Sequence, residues 1–114
     1  MILTKELAVS HHKSMWLYLA NLIRQNGEVI NIEIEKDIYM EENGFDCMFS
    51  CFLCEYAYIN NNRLLSNRCE KCPMQKFPFN DACLNGLYSH AITEKNYVWQ
   101  AYLCELIANL AVVN

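Results

Sequence analysis

Apolar positions predict a long helix over about residues 3–26. Apolar side chains recur there at steps of three and four, the spacing of one helical face. Gly27 is a favourable helix stop. A polar stretch interrupts the stripe, and we expect its two histidines, His11 and His12, to be solvated. The stripe consists of Leu3, Leu7, Met15, Leu19, Leu22 and Ile23.

A second long helix is predicted over about residues 93–112, with Thr93 as its N-cap. Further apolar residues cover most of the circumference beside its main seam. Such a helix is either central in its domain or shared with a partner, including a second copy of the chain. Both alternatives stay open. The seam consists of Trp99, Leu103, Leu106, Leu110 and Val113.

Residues 28–46 predict a short strand followed by a short helix. Three isoleucines alternate with polar residues, the period of a half-buried strand. Asp37 is then placed to cap a helix over residues 38–43, which Gly44 ends. The alternating residues are Ile30, Ile32 and Ile34.

A chain of 114 residues, 54% of them hydrophobic, corresponds to a single domain with a substantial core. We expect a mainly α fold with a small irregular or β part. In this fold, two long helices flank a cysteine-rich module at residues 47–90.

The cysteine spacing predicts a metal site. Cys51 and Cys54 form one C-x-x-C pair, Cys69 and Cys72 form a second, and 14 residues separate the pairs. Each pair can supply one edge of a tetrahedral zinc site, although the spacer is slightly shorter than the usual length of about 15–20 residues. The sequence therefore predicts one structural Zn²⁺ per chain.

The ligand set and the metal leave alternatives open. Cys83 is a candidate to replace Cys69 or Cys72, Cys47 is a further one, and Cys104 is expected to be a buried thiol within the second long helix. An iron–sulfur cluster also takes four cysteines, although the dense ferredoxin run is missing. Structural disulfides fit poorly with seven cysteines and no secretory signal.

No catalytic constellation is evident, and we predict that the protein is not an enzyme. Four thiolates leave no open position on zinc for water. No histidine lies between the two pairs, at residues 55–68, and no His-Glu-x-x-His motif or nucleotide loop occurs. His90 is expected to be a surface or core histidine and not a ligand.

Net charge and hydropathy narrow the partners and the compartment. The formal charge of −4 disfavours nonspecific nucleic-acid binding, which depends on Lys and Arg, and suits a basic protein surface. There is no basic leader followed by an apolar run and no stretch of about 18 apolar residues, so we expect a cytoplasmic protein without a membrane partner.

Three cysteine segments carry a family resemblance. Cys-Phe-Leu-Cys-Glu-Tyr-Ala at 51–57, Cys-Glu-Lys-Cys-Pro-Met at 69–74 and Cys-Leu-Asn-Gly-Leu-Tyr at 83–88 resemble those of small phage and prophage proteins with a zinc knuckle between two helices. The resemblance covers most of the chain, although its motifs are generic to zinc knuckles. It implies a phage-type protein in the bacterial host cell, but no activity.

Two functional hypotheses follow. The first is an accessory protein that binds a host or anti-phage defence protein and inhibits it. The second is a zinc-finger nucleic-acid-binding or transcription-regulating protein, whose contacts would be the basic residues around the second knuckle, with nearby aromatic rings for stacking. These basic residues are Arg63, Arg68, Lys71 and Lys76.

Overall fold

A computed structural model describes residues 3–45, 51–60 and 86–110. These ranges form five helices and no strand, which confirms the predicted mainly α fold. α1 packs most extensively on α5 and also contacts α2 and α3, while α4 packs on α5 and α2. The helices are α1 (Lys5–Asn26), α2 (Ile32–Glu42), α3 (Phe52–Asn60), α4 (Leu87–Thr93) and α5 (Tyr97–Leu110).

Both ends of α1 follow from local chemistry. The Thr4 hydroxyl accepts a hydrogen bond from the Leu7 backbone N–H at 3.1 Å, which satisfies a donor that the helix leaves unpaired. Gly27 adopts a left-handed conformation, φ 66°, and its N–H donates to the Ile23 carbonyl. The predicted helix is confirmed within two residues. Its inward face consists of Ala8, His12, Met15, Trp16, Leu19, Ala20 and Ile23.

The strand predicted within residues 28–46 is wrong, because this stretch belongs to the loop before α2 and to α2 itself. The Asn31 side chain accepts from the Ile34 N–H at 3.1 Å, so the N-cap of α2 lies six residues before Asp37, the predicted cap. Ile32 is buried whereas Ile34 is 54% exposed, as expected for residues two apart on a helix. The predicted stop is confirmed, since Gly44 has φ 71°.

The predicted helix over residues 93–112 is two elements. Thr93 ends α4, where its hydroxyl donates to the Ser89 carbonyl at 3.1 Å. Asn96, and not Thr93, caps the N-terminus of α5. Its Oδ1 accepts hydrogen bonds from the Val98 and Trp99 N–H groups at 3.0 and 3.3 Å. α5 therefore starts four residues later than predicted.

The face that α5 buries differs from the predicted seam. Leu103 and Leu110 are buried as expected, but Trp99 is 58% exposed. Small side chains take the place of Trp99 in the core, because they allow α5 to approach α1 closely. They are Ala101, Cys104 and Ala108, all fully buried.

The cysteine module predicted over residues 47–90 is described in part. α3 and most of α4 fall within it, and residues 61–85 lie outside the described residues. Across 3–45, 51–60 and 86–110, no helix has both the length and the apolar character needed to cross a bilayer.

Gln100 joins three parts of the fold through its buried amide. Its Oε1 accepts from the Ile30 N–H at 3.0 Å, and its Nε2 donates to the carbonyls of Ile30 and Ala91, both at 3.1 Å. The loop before α2 and the body of α4 are thereby tied to α5. A lone polar residue in an apolar helix thus has a packing role here.

Replacing Gln100 with alanine is expected to lower the free energy of unfolding by about 2 kcal/mol. The buried Ala91 carbonyl loses its side-chain donor, whereas water can reach the half-buried Ile30. Urea unfolding followed by circular dichroism measures the change. Asn109→Ala, which removes an exposed amide from the same helix, is the control and should change stability by less than about 0.5 kcal/mol. Equal effects of the two substitutions would refute the tethering role of Gln100.

Candidate functional site

The start of α3 brings Cys51 and Cys54 together. Cys51 immediately precedes the helix, and the Cys54 backbone N–H donates to the Cys51 Sγ at 3.4 Å. The Glu55 N–H donates to the Cys51 carbonyl at 3.0 Å, which closes the first turn. Backbone donors at a helix N-terminus favour a negatively charged acceptor, such as a thiolate.

The chemistry of this pair fits one half of a zinc clamp. A side-chain hydrogen bond with Cys54 and then burial raise the pKa of the Cys51 thiol well above its ordinary value. Without a metal Cys51 is therefore a protonated thiol, whereas a divalent cation would favour both cysteines as thiolates. Bound zinc would supply a structural crosslink through Cys51 and Cys54.

Apolar packing fixes this pair against α1. Phe52 and Leu53 are fully buried, and Cys51 packs with Leu53 on a small cluster at the start of the chain. These contacts attach the first C-x-x-C pair to the core beside α1. The α1 members of the cluster are Ala8 and Val9.

A buried cation lies near the cysteine pair. The Lys36 side chain of α2 is 2% exposed, and its Nζ donates to the Tyr88 hydroxyl at 2.9 Å. The same Nζ lies 4.4 Å from the Tyr88 ring centroid and 5.4 Å from that of Trp16, distances at which a ring face stabilises an ammonium. The charge of Lys36 lowers the pKa of Cys51, opposing the contact with Cys54 and the burial that raise it.

The other predicted ligands, Cys69, Cys72 and Cys83, lie outside the described residues, as does Cys47. Over the described ranges, no group of three or more His, Cys, Asp or Glu side chains is placed to hold a metal ion. The four-cysteine site and its metal therefore stay predictions, of which the structure provides the geometry of Cys51 and Cys54.

Cys104 is fully buried in α5, as predicted for a core thiol. Burial raises the pKa of this thiol to about 12, so it stays protonated at physiological pH. A protonated thiol in an apolar core is neither a nucleophile nor a metal ligand.

The prediction that His11 and His12 are solvated is wrong. His11 is half-buried, with its ring centroid 4.7 Å from Phe45 and 5.2 Å from Phe52. His12 is 1% exposed, and its Nε2–H donates to the Ile107 carbonyl at 2.8 Å. The sequence does contain an indication of this burial, because His11 and His12 precede the core residues Met15 and Trp16 by one helical turn.

His90 is exposed at the end of α4 and contacts the Glu94 carboxylate at 3.0 Å. This is the surface histidine that the sequence predicts. Its neighbour in space is a carboxylate four residues along, a common solvated pair.

A shallow depression between α1 and α2 is a feature that the sequence did not reveal. Tyr18, Tyr39, Glu42 and Asn43 line a space of about 350 Å³. Tyr18 lies in α1 and Tyr39 in α2, and nothing in the sequence indicates that these two residues meet in space. Part of α2 was moreover predicted to be a strand.

The basic residues of the nucleic-acid hypothesis, Arg63, Arg68, Lys71 and Lys76, also lie outside the described residues. No protein-family model, no curated protein and no solved structure matches this chain. The resemblance to phage zinc-knuckle proteins therefore stays a prediction, and the case for function depends on the geometry of the chain itself.

Proposed function

We propose that this chain is a small zinc-stabilised accessory protein of phage type that acts by binding another protein, a host or anti-phage defence factor. On this proposal the metal is structural, and the chain itself carries out no reaction. The binding surface is the outward side of α5.

The observation that carries the proposal is an aromatic face on α5 that the fold does not bury. Val98 and Trp99 are each 58% exposed, and Tyr102 is 45% exposed. Positions 98 and 102 are one helical turn apart, and the Trp99 and Tyr102 rings meet edge to face with centroids 5.9 Å apart. Large exposed aromatic side chains are enriched in protein interfaces, and Trp and Tyr are among the residues most often found as binding hot spots.

Charge supports a protein partner over a nucleic acid. Residues 3–45, 51–60 and 86–110 hold ten Asp and Glu against five Lys and Arg. One of these cations, Lys36, is buried, and another, Arg24, pairs with Glu105 beside the aromatic face. Such a surface repels phosphate backbones and suits a neutral or basic protein surface.

The proposal predicts that a partner is lost when the aromatic face is truncated. Tagged wild-type protein and the double variant Trp99→Ala/Tyr102→Ala are used to capture proteins from phage-infected bacterial host cells, and each captured protein is purified for a direct binding assay. We expect the double variant to bind a genuine partner at least about 30-fold more weakly, corresponding to the loss of one hot spot of about 2 kcal/mol.

The control is Leu17→Ala, because Leu17 is 42% exposed on α1 and its truncation also removes apolar surface. Circular dichroism checks that all variants fold. Partner binding that survives the α5 double variant would contradict the proposal.

A chain that binds mixed DNA or RNA at low salt, with loss of binding in Arg63→Ala/Lys71→Ala, would support the zinc-finger hypothesis instead. A stable homodimer that depends on Trp99 would assign the face to self-association.

A further inference from the structure

The depression between α1 and α2 has the chemistry of a cation-binding pocket. The Tyr18 and Tyr39 ring centroids lie 5.3 Å apart with the planes at 42°, beside the Glu42 carboxylate. Aromatic faces attract a cation through their quadrupole, and a carboxylate adds charge-assisted hydrogen bonds. Burial, and then the neighbouring Tyr18, raise the pKa of Tyr39, so its ring stays a neutral phenol at physiological pH.

The side chains of α2 surround this pocket with negative charge. The helix has five carboxylates and a single basic residue, Lys36. Because the Lys36 ammonium is held in the interior by Tyr88 and Trp16, it is not available to pair with carboxylates on the solvent side. The exposed side of α2 therefore presents unbalanced negative charge.

Helical spacing places a second carboxylate, Glu35, on the same edge of α2 as Tyr39 and Glu42. Glu35, Tyr39 and Glu42 occur at positions i, i+4 and i+7, which share one edge of a helix. Ile38, 39% exposed, adds apolar surface beside them. The pocket thus combines a ring pair, an adjoining carboxylate and a second carboxylate one helical turn from Tyr39.

We propose that this pocket binds an arginine side chain presented by a basic segment of a partner protein. The guanidinium plane stacks on the tyrosine rings and donates to the Glu42 carboxylate, while Glu35 attracts a neighbouring basic residue. The Asn43 Nδ2 donates to the Tyr39 carbonyl at 2.8 Å, so its amide oxygen is a further acceptor for the guanidinium. A planar group with five donors satisfies these acceptors better than an ammonium.

This pocket lies on α1 and α2, whereas the proposed function depends on α5, so the two surfaces can be tested separately. The probe is a fluorescein-labelled peptide of alternating glycine and arginine, titrated with the whole 114-residue chain at about 50 mM salt. We expect saturable binding by fluorescence anisotropy, with the lysine analogue weaker and the glutamate analogue not bound.

Glu42→Gln and Tyr18→Ala are each expected to weaken binding by about fivefold. The matched control is Glu33→Gln, which removes the same charge from the opposite edge of α2 and should weaken binding by less than about twofold. Trp99→Ala should leave it unchanged. NMR chemical-shift changes that are confined to the Tyr18 and Tyr39 rings would show that the peptide binds in this pocket.

Three results would overturn the inference. Equal losses in Glu33→Gln and Glu42→Gln would show diffuse attraction and no pocket. Full binding in Tyr18→Ala would exclude the ring pair. A dimer of this chain that is lost in Tyr18→Ala, seen by sedimentation, would show that a second copy occupies the groove.

Discussion

Replacing Cys54 with serine is expected to release the proposed zinc ion and unfold the cysteine module. Zinc contributes on the order of 10–16 kcal/mol in isolated zinc-finger peptides, so the loss of one ligand removes a large part of the stability of this module. The Cys54 thiol also contacts the Cys51 thiol, so this substitution removes that contact as well. The zinc content measured by metal analysis should fall from about one ion per chain to well below one.

The control for this prediction is Cys104→Ala. Cys104 is buried in α5 as a protonated thiol, so its replacement should keep the metal and cost about 1 kcal/mol through a small cavity. Serine substitutions of Cys69, Cys72 and Cys83, measured separately, identify the remaining ligands, since a residue outside the site keeps the full metal content. A folded Cys54→Ser protein without metal would refute the zinc assignment.

The helix α1 could be predicted because its signals are local and agree with one another. In α1, the apolar period of three and four residues and the stop at Gly27 indicate the same element. Tertiary contacts then add to a structure that the segment itself favours.

The segment around Ile32 could not be resolved by pattern, because alternation over five residues also fits a helix with one buried and one exposed isoleucine. The Asn31 cap decides in favour of the helix, and Ile32 then packs into the core. Thr93 was ambiguous for a similar reason, since a hydroxyl can cap the start of one helix or bond within the last turn of another.

The candidate site was predictable only where spacing alone defines it. A C-x-x-C pair brings two thiols together whatever surrounds it, and Cys51 and Cys54 do meet at the start of α3. The tyrosine pocket joins α1 to α2, and the Gln100 bridge joins α5 to α4 and the loop before α2, so both depend on how the helices pack together. The sequence contains no periodic signal for such contacts.

His12 gives the second large effect, a loss of stability in mild acid. Burial, opposed by the hydrogen bond to Ile107 and reinforced by the charges of Lys36 and Lys13, lowers the pKa of His12 from 6.5 to about 4. Its Nδ1 is buried and has no hydrogen-bond partner among the described residues, so a second proton would be unpaired. The folded protein therefore holds His12 as neutral imidazole.

The sign of the pH dependence follows from proton uptake. Between pH 6.5 and about 4 the unfolded chain protonates His12 while the folded chain does not, so the free energy of unfolding falls as the pH falls. Protonation of His12 lowers the free energy of unfolding by about 3 kcal/mol once the pH has fallen to about 4. Above pH 6.5 the contribution of His12 is constant. Urea unfolding at a series of pH values measures it.

His12→Gln separates this effect from other acid-sensitive groups. The glutamine amide can still donate to the Ile107 carbonyl but does not titrate, so the variant should lack this part of the pH dependence. Thiolates and carboxylates contribute equally to both proteins and cancel in the difference between the two curves. His90→Gln, at an exposed position, should retain the part of the acid sensitivity that His12 causes. Parallel curves for wild type and His12→Gln would mean that His12 charges within the fold, and would refute its burial as a neutral base.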